Sequence, residues 1–246
     1  MKESKDIFGT ALKSFFFDKD HSKLWVLSDQ MEKDEMPVKY FFRDFNIMPE
    51  IEKIALQNCK GKILDIGAGS GSHALWLQSQ KLDVTAIDHS SGCIEVMRKR
   101  GVKQAIEKDI FDPIAIGLEE GKFDTVLLLM NGIGIAKSLD ELPAYLNRLK
   151  DLLSENGQIL FDSSDLKYLY LEDDGSLLID LNGPYYGEMN FRYLYRDQKG
   201  SWFKWLYIDE LMMGDFAKKA QLKMEVLYRG DNSDYLARLT RMNFER

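Results

Sequence analysis

Cysteine is nearly missing from this chain. Cys59 and Cys93 are the only two in 246 residues, they form no metal-spaced pair, and no disulfide framework is expected; both read as small buried hydrophobes. Long apolar runs are missing as well. No uncharged stretch approaches the roughly 20 residues that a membrane helix needs. Met1-Lys-Glu-Ser-Lys-Asp6 is too polar for a signal peptide, so a cytoplasmic protein without a membrane partner is expected. Positive charge is in deficit: 33 Lys and Arg face 40 Asp and Glu, a formal charge of −7. Nucleic acid is therefore not an expected partner, because phosphate binding draws on concentrated Lys and Arg. Repeats, low-complexity tracts and Pro/Ser linkers are absent, so no second independent domain is indicated. What remains is a hydrophobic content of 45%, enough to fill the core of one domain with embellishments.

From Lys62 onward, short β-like runs alternate with helical patterns, the signature of a parallel sheet with helices on both faces. The strand candidates are Lys62–Ile66, Asp83–Ile87, Gln104–Lys108, Phe123–Met130 and Gln158–Phe161. Helix candidates are Ser72–Gln80, Ser90–Arg100 with Gly101 as a stop, and Leu142–Leu153 with Gly157 beyond. The run Thr125-Val-Leu-Leu-Leu-Met130 does not alternate, as expected of a central strand buried on both faces. Residues 1–60 read as a helical cap broken at Pro37 and Pro49, and residues 61–165 as the core. Residues 182–209 read as an inserted aromatic hairpin, with Gln198-Lys-Gly200 as its turn. Residues 210–246 supply a helix, about Glu210–Gln221, and two last strands, Lys223–Tyr228 and Tyr235–Thr240.

The segment Lys62-Ile-Leu-Asp-Ile-Gly-Ala-Gly-Ser-Gly-Ser-His73 carries the most chemistry. An apolar strand ends in an acid, glycines follow at every second position, and a helix begins. Such a turn lets a ligand approach backbone N–H groups, and the helix directs its positive end at the same place. The spacing Asp65-x-Gly67-x-Gly69-x-Gly71 is neither the dinucleotide fingerprint, whose third glycine falls where Ser72 stands, nor the phosphate loop.

This pattern resembles the class I S-adenosylmethionine-dependent methyltransferases, over about Lys62 to Phe161. The resemblance implies an α/β fold: a three-layer αβα, Rossmann-like sandwich whose seven-stranded, mostly parallel sheet has its last strand antiparallel. N-terminal helices and a hairpin inserted after strand five complete it. It implies S-adenosyl-L-methionine as cofactor and S-adenosyl-L-homocysteine as product. Asp65 then organises the loop beside the methionine end, with Ile66, Gly67, Ala68, Gly69 and Gly71 around it. Asp88, 23 residues later and ending Val84-Thr-Ala-Ile-Asp88, takes the ribose hydroxyls, with His89 beside it. Asp109 faces the adenine amino group and Ile110 the ring, while the fourth strand's exit, Asn131-Gly132, lies near the methyl group. Plainer readings exist for the acids: Asp88 caps the helix near Ser90, and Asp109 caps a turn. Carboxyl-end crevices are nonetheless where open α/β sheets bind ligands.

Methyl transfer is a direct displacement, so the protein chiefly aligns the reacting atoms and needs no metal for it. The fourth-strand exit is not the N/D-P-P-Y/F of amino-methylating DNA enzymes, and no Pro-Cys nucleophile occurs. With the acidic charge, these omissions favour a small-molecule or protein acceptor at oxygen or nitrogen, and a small molecule is the expected one. Tyr185, Tyr186, Phe191, Tyr193, Trp202 and Trp205 are candidates to wall an apolar or planar substrate, against the alternative of ordinary cross-strand packing. Candidate catalytic groups are Glu188, His73 and Tyr186; His73 sits on the first turn of the glycine-loop helix, where a neutral imidazole is favoured and cofactor contact is the alternative role. Tyr40 and Arg43, at i and i+3 of a helix, fall in the segment expected to cover the cofactor; Arg43 reads either as a surface salt bridge or as a planar two-donor holder of the methionyl carboxylate. Two competing readings stay open: a catalytically silent cofactor-binding module, and a nicotinamide-dependent oxidoreductase. The acceptor and the oligomeric state are not legible.

Overall fold

A computed structural model describes residues 2–3, 6–112, 123–172, 174–180 and 182–242. The parts of the expected segments at 1, 4–5, 113–122, 173, 181 and 243–246 lie outside the described residues. In chain order the elements are β1 (Lys2–Glu3), α1 (Ile7–Asp18), β2 (Leu24–Ser28), β3 (Asp34–Met36), α2 (Glu50–Gln57), β4 (Lys62–Ile66), α3 (Ser72–Ser79), β5 (Asp83–Asp88), α4 (Ser91–Arg100) and β6 (Gln104–Glu107). They continue as β7 (Phe123–Leu128), α5 (Leu142–Leu152), β8 (Leu153–Ser164), β9 (Glu188–Tyr195), β10 (Gln198–Lys199), β11 (Phe203–Leu206), α6 (Glu210–Lys219), β12 (Leu222–Arg229) and β13 (Asp234–Arg241).

Seven strands form the main sheet in the order β12-β13-β8-β7-β4-β5-β6. The pairs β6·β5, β5·β4, β4·β7 and β7·β8 are parallel, whereas β13 runs antiparallel to both β8 and β12. This is the expected mostly parallel sheet with an antiparallel last strand. The helical connections of a parallel sheet cover both of its faces. On one side Leu64, Val126 and Leu128 pack with α5 and α6; on the other Ile63 and Leu127 pack with α1, α2, α3 and α4. Residues Thr125 to Leu128 are inaccessible to solvent, as the unalternating run requires. Strand order reverses between β4 and β7, so the connections leaving these two strands part in opposite directions and open a crevice at their carboxyl ends. No described helix is long and apolar enough to cross a membrane.

Two expectations need correction. Residues 1–60 are not wholly helical: α1, α2 and two 3₁₀ turns (Val38–Phe42 and Phe45–Ile47) are interrupted by β2 and β3. Pro37 and Pro49 do mark breaks, each standing at the N-cap of the turn or helix that follows. The apolar run Leu24-Trp-Val-Leu27 is extended because β9 offers it a partner edge, pairing Leu24 with Tyr195 and Ser28 with Phe191. Short apolar runs do not reveal such distant partners. The inserted segment is likewise more than a hairpin. β9, β10, β11, β2, β3 and β1 make a second, six-stranded sheet. Its tight turn falls at Arg196–Asp197, with Arg196 at φ 54°, because Gln198 and Lys199 already pair back onto Tyr195 and Leu194. Gly200 begins a short excursion before pairing resumes at Phe203 opposite Phe191.

Candidate active site

The glycine loop closes β4 onto α3. Gly67, Gly69 and Gly71 have φ of 70°, 56° and 83°, a region where side chains are strained. Gly67 and Ala68 donate their N–H groups to the carbonyl of Ile87 (2.9 and 3.1 Å), and Gly69 donates to Asp88 Oδ2 (2.9 Å). Gly67, Ala68 and Gly69 line the cavity below. Gly71, expected beside the ligand, instead serves packing: a Cβ there would lie 2.7 Å from Val102 Cγ2 and 2.8 Å from Met97 Cγ.

The three acids do converge. Asp65, Asp88 and Asp109 all line one cavity of about 1020 Å³, together with Ile66, His89 and Ile110. Asp65 is 2% exposed; burial, helped by the charge of Asp88 and opposed by His73, pushes its pKa up to about 6. Its Oδ2 has no hydrogen-bond partner among the described residues. Burial also raises the Asp88 pKa, against the N–H groups of Ser90 and Gly69 that bond its two oxygens at 2.9 Å each. Asp88 thus holds the loop in addition to facing the cavity, so its plainer structural role coexists with the expected one. Asp109 is exposed, and its Oδ1 accepts from the Phe111 N–H (2.9 Å). His89 is largely exposed at the rim.

A buried ionic cluster that the sequence reading missed ties the N-terminal segment to the loop. Glu52 on α2 accepts from Arg43 Nη2, and its Oε2 lies 2.7 Å from His73 Nε2. All three side chains are buried. Burial opposes ionisation of Glu52, but the His73 hydrogen bond and the charges of His73 and Arg43 prevail and hold its pKa below the usual value. A carboxylate on an otherwise amphipathic helix carries no signal that it points inward. Ser70 and Ser72 hydroxyls donate to the carbonyl of Phe41, and Arg100 donates to both hydroxyls. Tyr40 and Arg43 are not on an α-helix: Tyr40 lies in the 3₁₀ turn, and Arg43 follows it in extended conformation with its guanidinium 3.8 Å from the Tyr40 ring centre. Arg43 lines the cavity, Tyr40 does not, and Arg43 Nε has no partner among the described residues.

At the β7 exit, Gly132 and Met130 line the cavity but Asn131 does not. Asn131 is at φ 57°; its N–H donates to Asp162 Oδ1 (2.8 Å), its side-chain oxygen accepts from Ser164 Oγ (3.0 Å), and its carbonyl accepts from Trp205 Nε1 (3.1 Å). It shapes the exit. Of the catalytic candidates, only His73 reaches the cavity. Glu188 is committed to the Leu139 N–H (2.9 Å), and Tyr186 to Asp165 (2.8 Å), so neither occupies the role expected of it. Tyr185 is bonded to Asp209 and also lies outside the walls, whereas Phe191, Tyr193, Trp202 and Trp205 are in them, joined by Phe8, Phe41, Phe203 and Tyr207.

Asp162, at the end of β8, was another omission. Burial, opposed by the Asn131 N–H, pushes its pKa up to about 7. Since the folded value lies above the unfolded one, the stability this group contributes is present below about pH 4 and lost as pH rises through 7. Asp162→Asn keeps the acceptor for Asn131. It is expected to raise stability by on the order of 2–4 kcal/mol at pH 8 and by little at pH 4. Thermal melts at the two pH values check this, and an equal gain at both would contradict it.

Comparison with known proteins agrees with this geometry. The family described as a methyltransferase domain matches residues 63–157. A SAM-dependent methyltransferase from Bacteroides fragilis, solved in complex with S-adenosyl-L-homocysteine, is 43% identical with a TM-score of 0.90, covering 99% of this chain and 98% of that one. A methyltransferase of Geobacillus sp. (strain WCH70) is 26% identical over 117 residues, 47% of this chain and 47% of that protein, so the match spans about half the length of that curated relative. The CcbJ methyltransferase from Streptomyces caelestis, 11% identical with a TM-score of 0.61 over 81% of this chain and 95% of that one, shares the fold.

Proposed function

Because the chain belongs to the S-adenosylmethionine-dependent methyltransferases, we propose that it binds S-adenosyl-L-methionine in this cavity and transfers the methyl group to an oxygen or nitrogen of a small-molecule acceptor. The observation that carries the reading is the convergence of Asp65, Asp88 and Asp109 on one cavity floored by Gly67 and Gly69. Two buried atoms of opposite character, Asp65 Oδ2 and Arg43 Nε, lack partners on its wall. An amino-acid end, with an ammonium and a carboxylate, meets both needs.

When bound, the cofactor would supply an electrophilic methyl carbon on a sulfonium, open to direct displacement by the acceptor's lone pair with the sulfur as leaving group and the acceptor's proton released to water. Asp65 holds the ammonium and Arg43 the carboxylate. Asp88 has lone pairs left for ribose hydroxyls after accepting its two backbone bonds, Asp109 meets the adenine amino group, and Ile110 packs on the ring. His73, pinned by Glu52, would contact the methionyl end. The formal charge of −7 supports an acceptor other than nucleic acid. Calorimetric titration with S-adenosylhomocysteine tests the site, and an absence of binding would sink the proposal. Asp88→Ala is expected to weaken that binding by about 1–3 kcal/mol; unchanged affinity would reject the ribose role. Binding without methyl transfer to any extract component would instead identify a silent module.

A further inference from the structure

At about 1020 Å³ the cavity reaches the top of the range usual for one small ligand, roughly 300–1,000 Å³. The strand exits of the main sheet form only part of its wall. One face of the second sheet forms a further part. Ser28, Phe191 and Phe203 are cross-strand partners, as are Val26 and Tyr193, and Trp205 lies two residues along β11 from Phe203. Side chains two apart on a strand share a face, so these residues form a single surface, and all of them line the cavity.

That surface is aromatic and continuous. Tyr193 and Phe203 have ring centres 5.1 Å apart, Phe191 and Tyr207 6.2 Å, and Phe8 of α1 stacks on Tyr193 at 5.6 Å. Trp205 is held beside the β7 exit by its bond to the Asn131 carbonyl, and its indole fills the space a Cβ at Gly134 would need. Two features separate this face from ordinary core packing. Tyr193, Phe203, Trp205 and Tyr207 are only half-buried, while Met189, Tyr195 and Leu206 of the same strands are fully buried. The hydroxyls of Tyr193 and Tyr207 also have no hydrogen-bond partner among the described residues, a state that the core Tyr145 shares, whereas those of Tyr185, Tyr186, Tyr195 and Tyr235 are bonded. Burial, with the charge of Asp162, pushes the Tyr207 pKa up to about 12, so its hydroxyl stays a donor. The charged residues of this lobe, Glu32, Lys33, Asp34 and Lys204, are all exposed.

We propose that this face is the acceptor subsite and that it takes a planar, uncharged aromatic compound bearing a polar ring substituent. Resting on the cofactor reading above, the proposal assigns the ring to Phe203, Tyr193 and Trp205 and the polar substituent to the two free phenol hydroxyls. Flat aromatic faces reward a planar partner beyond the area it buries, and unpaired hydroxyls in a half-dry wall reward a group that bonds them.

The test uses two probes that share a hydroxyl and differ in planarity, 2-naphthol and decahydro-2-naphthol, titrated calorimetrically into the protein saturated with S-adenosylhomocysteine. The S-adenosylhomocysteine titration comes first and reads the cofactor site by itself, so its failure is a failure of the proposed function. The naphthol is expected to bind at one site about tenfold more tightly than its saturated counterpart. The double variant Tyr193→Phe, Tyr207→Phe, which keeps every ring, is expected to weaken it by about three- to tenfold. Equal affinity for the two probes, no binding of the naphthol, or an unchanged affinity in the double variant would each overturn the subsite.

Discussion

Glu52→Ala is expected to lower the unfolding free energy by about 3–5 kcal/mol, the usual loss when one member of a buried ion pair is removed. The carboxylate receives Arg43 and His73 in a region where all three side chains are under 10% exposed. Without it, the Arg43 guanidinium stays buried with no counter-charge and His73 loses its 2.7 Å contact. The pH sign follows from the lowered folded pKa of Glu52. Its contribution is present above the ordinary carboxylate range and lost as pH falls through the folded value. Urea denaturation at pH 7 checks the prediction: the midpoint should fall with little change in slope. Glu52→Gln, which keeps the shape and an acceptor, should lose less. A loss for the alanine variant below about 1 kcal/mol would place the cluster among ordinary surface pairs.

The second large effect concerns Asp65. Asp65→Asn is expected to weaken S-adenosylhomocysteine binding by about 3 kcal/mol, roughly a hundredfold in Kd, because on the proposed reading a buried carboxylate that would face the ammonium is replaced by a neutral amide. With its pKa near 6, Asp65 of the free protein is protonated in mildly acidic solution. Wild-type affinity should therefore be flat above about pH 7 and fall toward tenfold per unit below pH 6, and the Asn variant should lose this component. Stability has the opposite sign. A raised folded pKa means that ionised Asp65 costs stability once pH exceeds 6, so the Asn variant should be no less stable than wild type at pH 8. Calorimetry across pH together with a melt at pH 8 separates lost binding from lost folding. An Asn variant that binds as tightly as wild type would remove Asp65 from the ammonium site.

The strand–glycine–helix unit was legible because its information is local. Within Lys62–His73 the apolar run, the acid and the glycines all act on one turn, and the positive φ values of Gly67, Gly69 and Gly71 are what that spacing asks for. Asp88 and Asp109 were legible for a related reason: each ends a strand, and parallel strands bring their carboxyl ends to one edge. Gly71 shows where local reading stops. Its conformation was foreseeable, but its neighbours Val102 and Met97 come from a later helix and strand connection.

The partners of side chains were not legible. Glu188 and Tyr186 had the chemistry of catalytic groups, and the fold commits one to the Leu139 N–H and the other to Asp165. Glu52 had the look of a solvated helix residue, and the fold turns it inward between Arg43 and His73. The second sheet depends on pairings such as Leu24 with Tyr195, which no local preference encodes.

By itself, the sequence determined the type of fold, the glycine turn and the placing of three acids at strand ends that share one cavity, because alternating strands and helices with turn glycines constrain nearby backbone directly. Only the tertiary structure decided which polar groups remain free and how the aromatic wall is assembled. Those outcomes depend on burial and on hydrogen bonds between segments far apart in the chain, and a buried polar atom takes whichever partner the packing brings within reach.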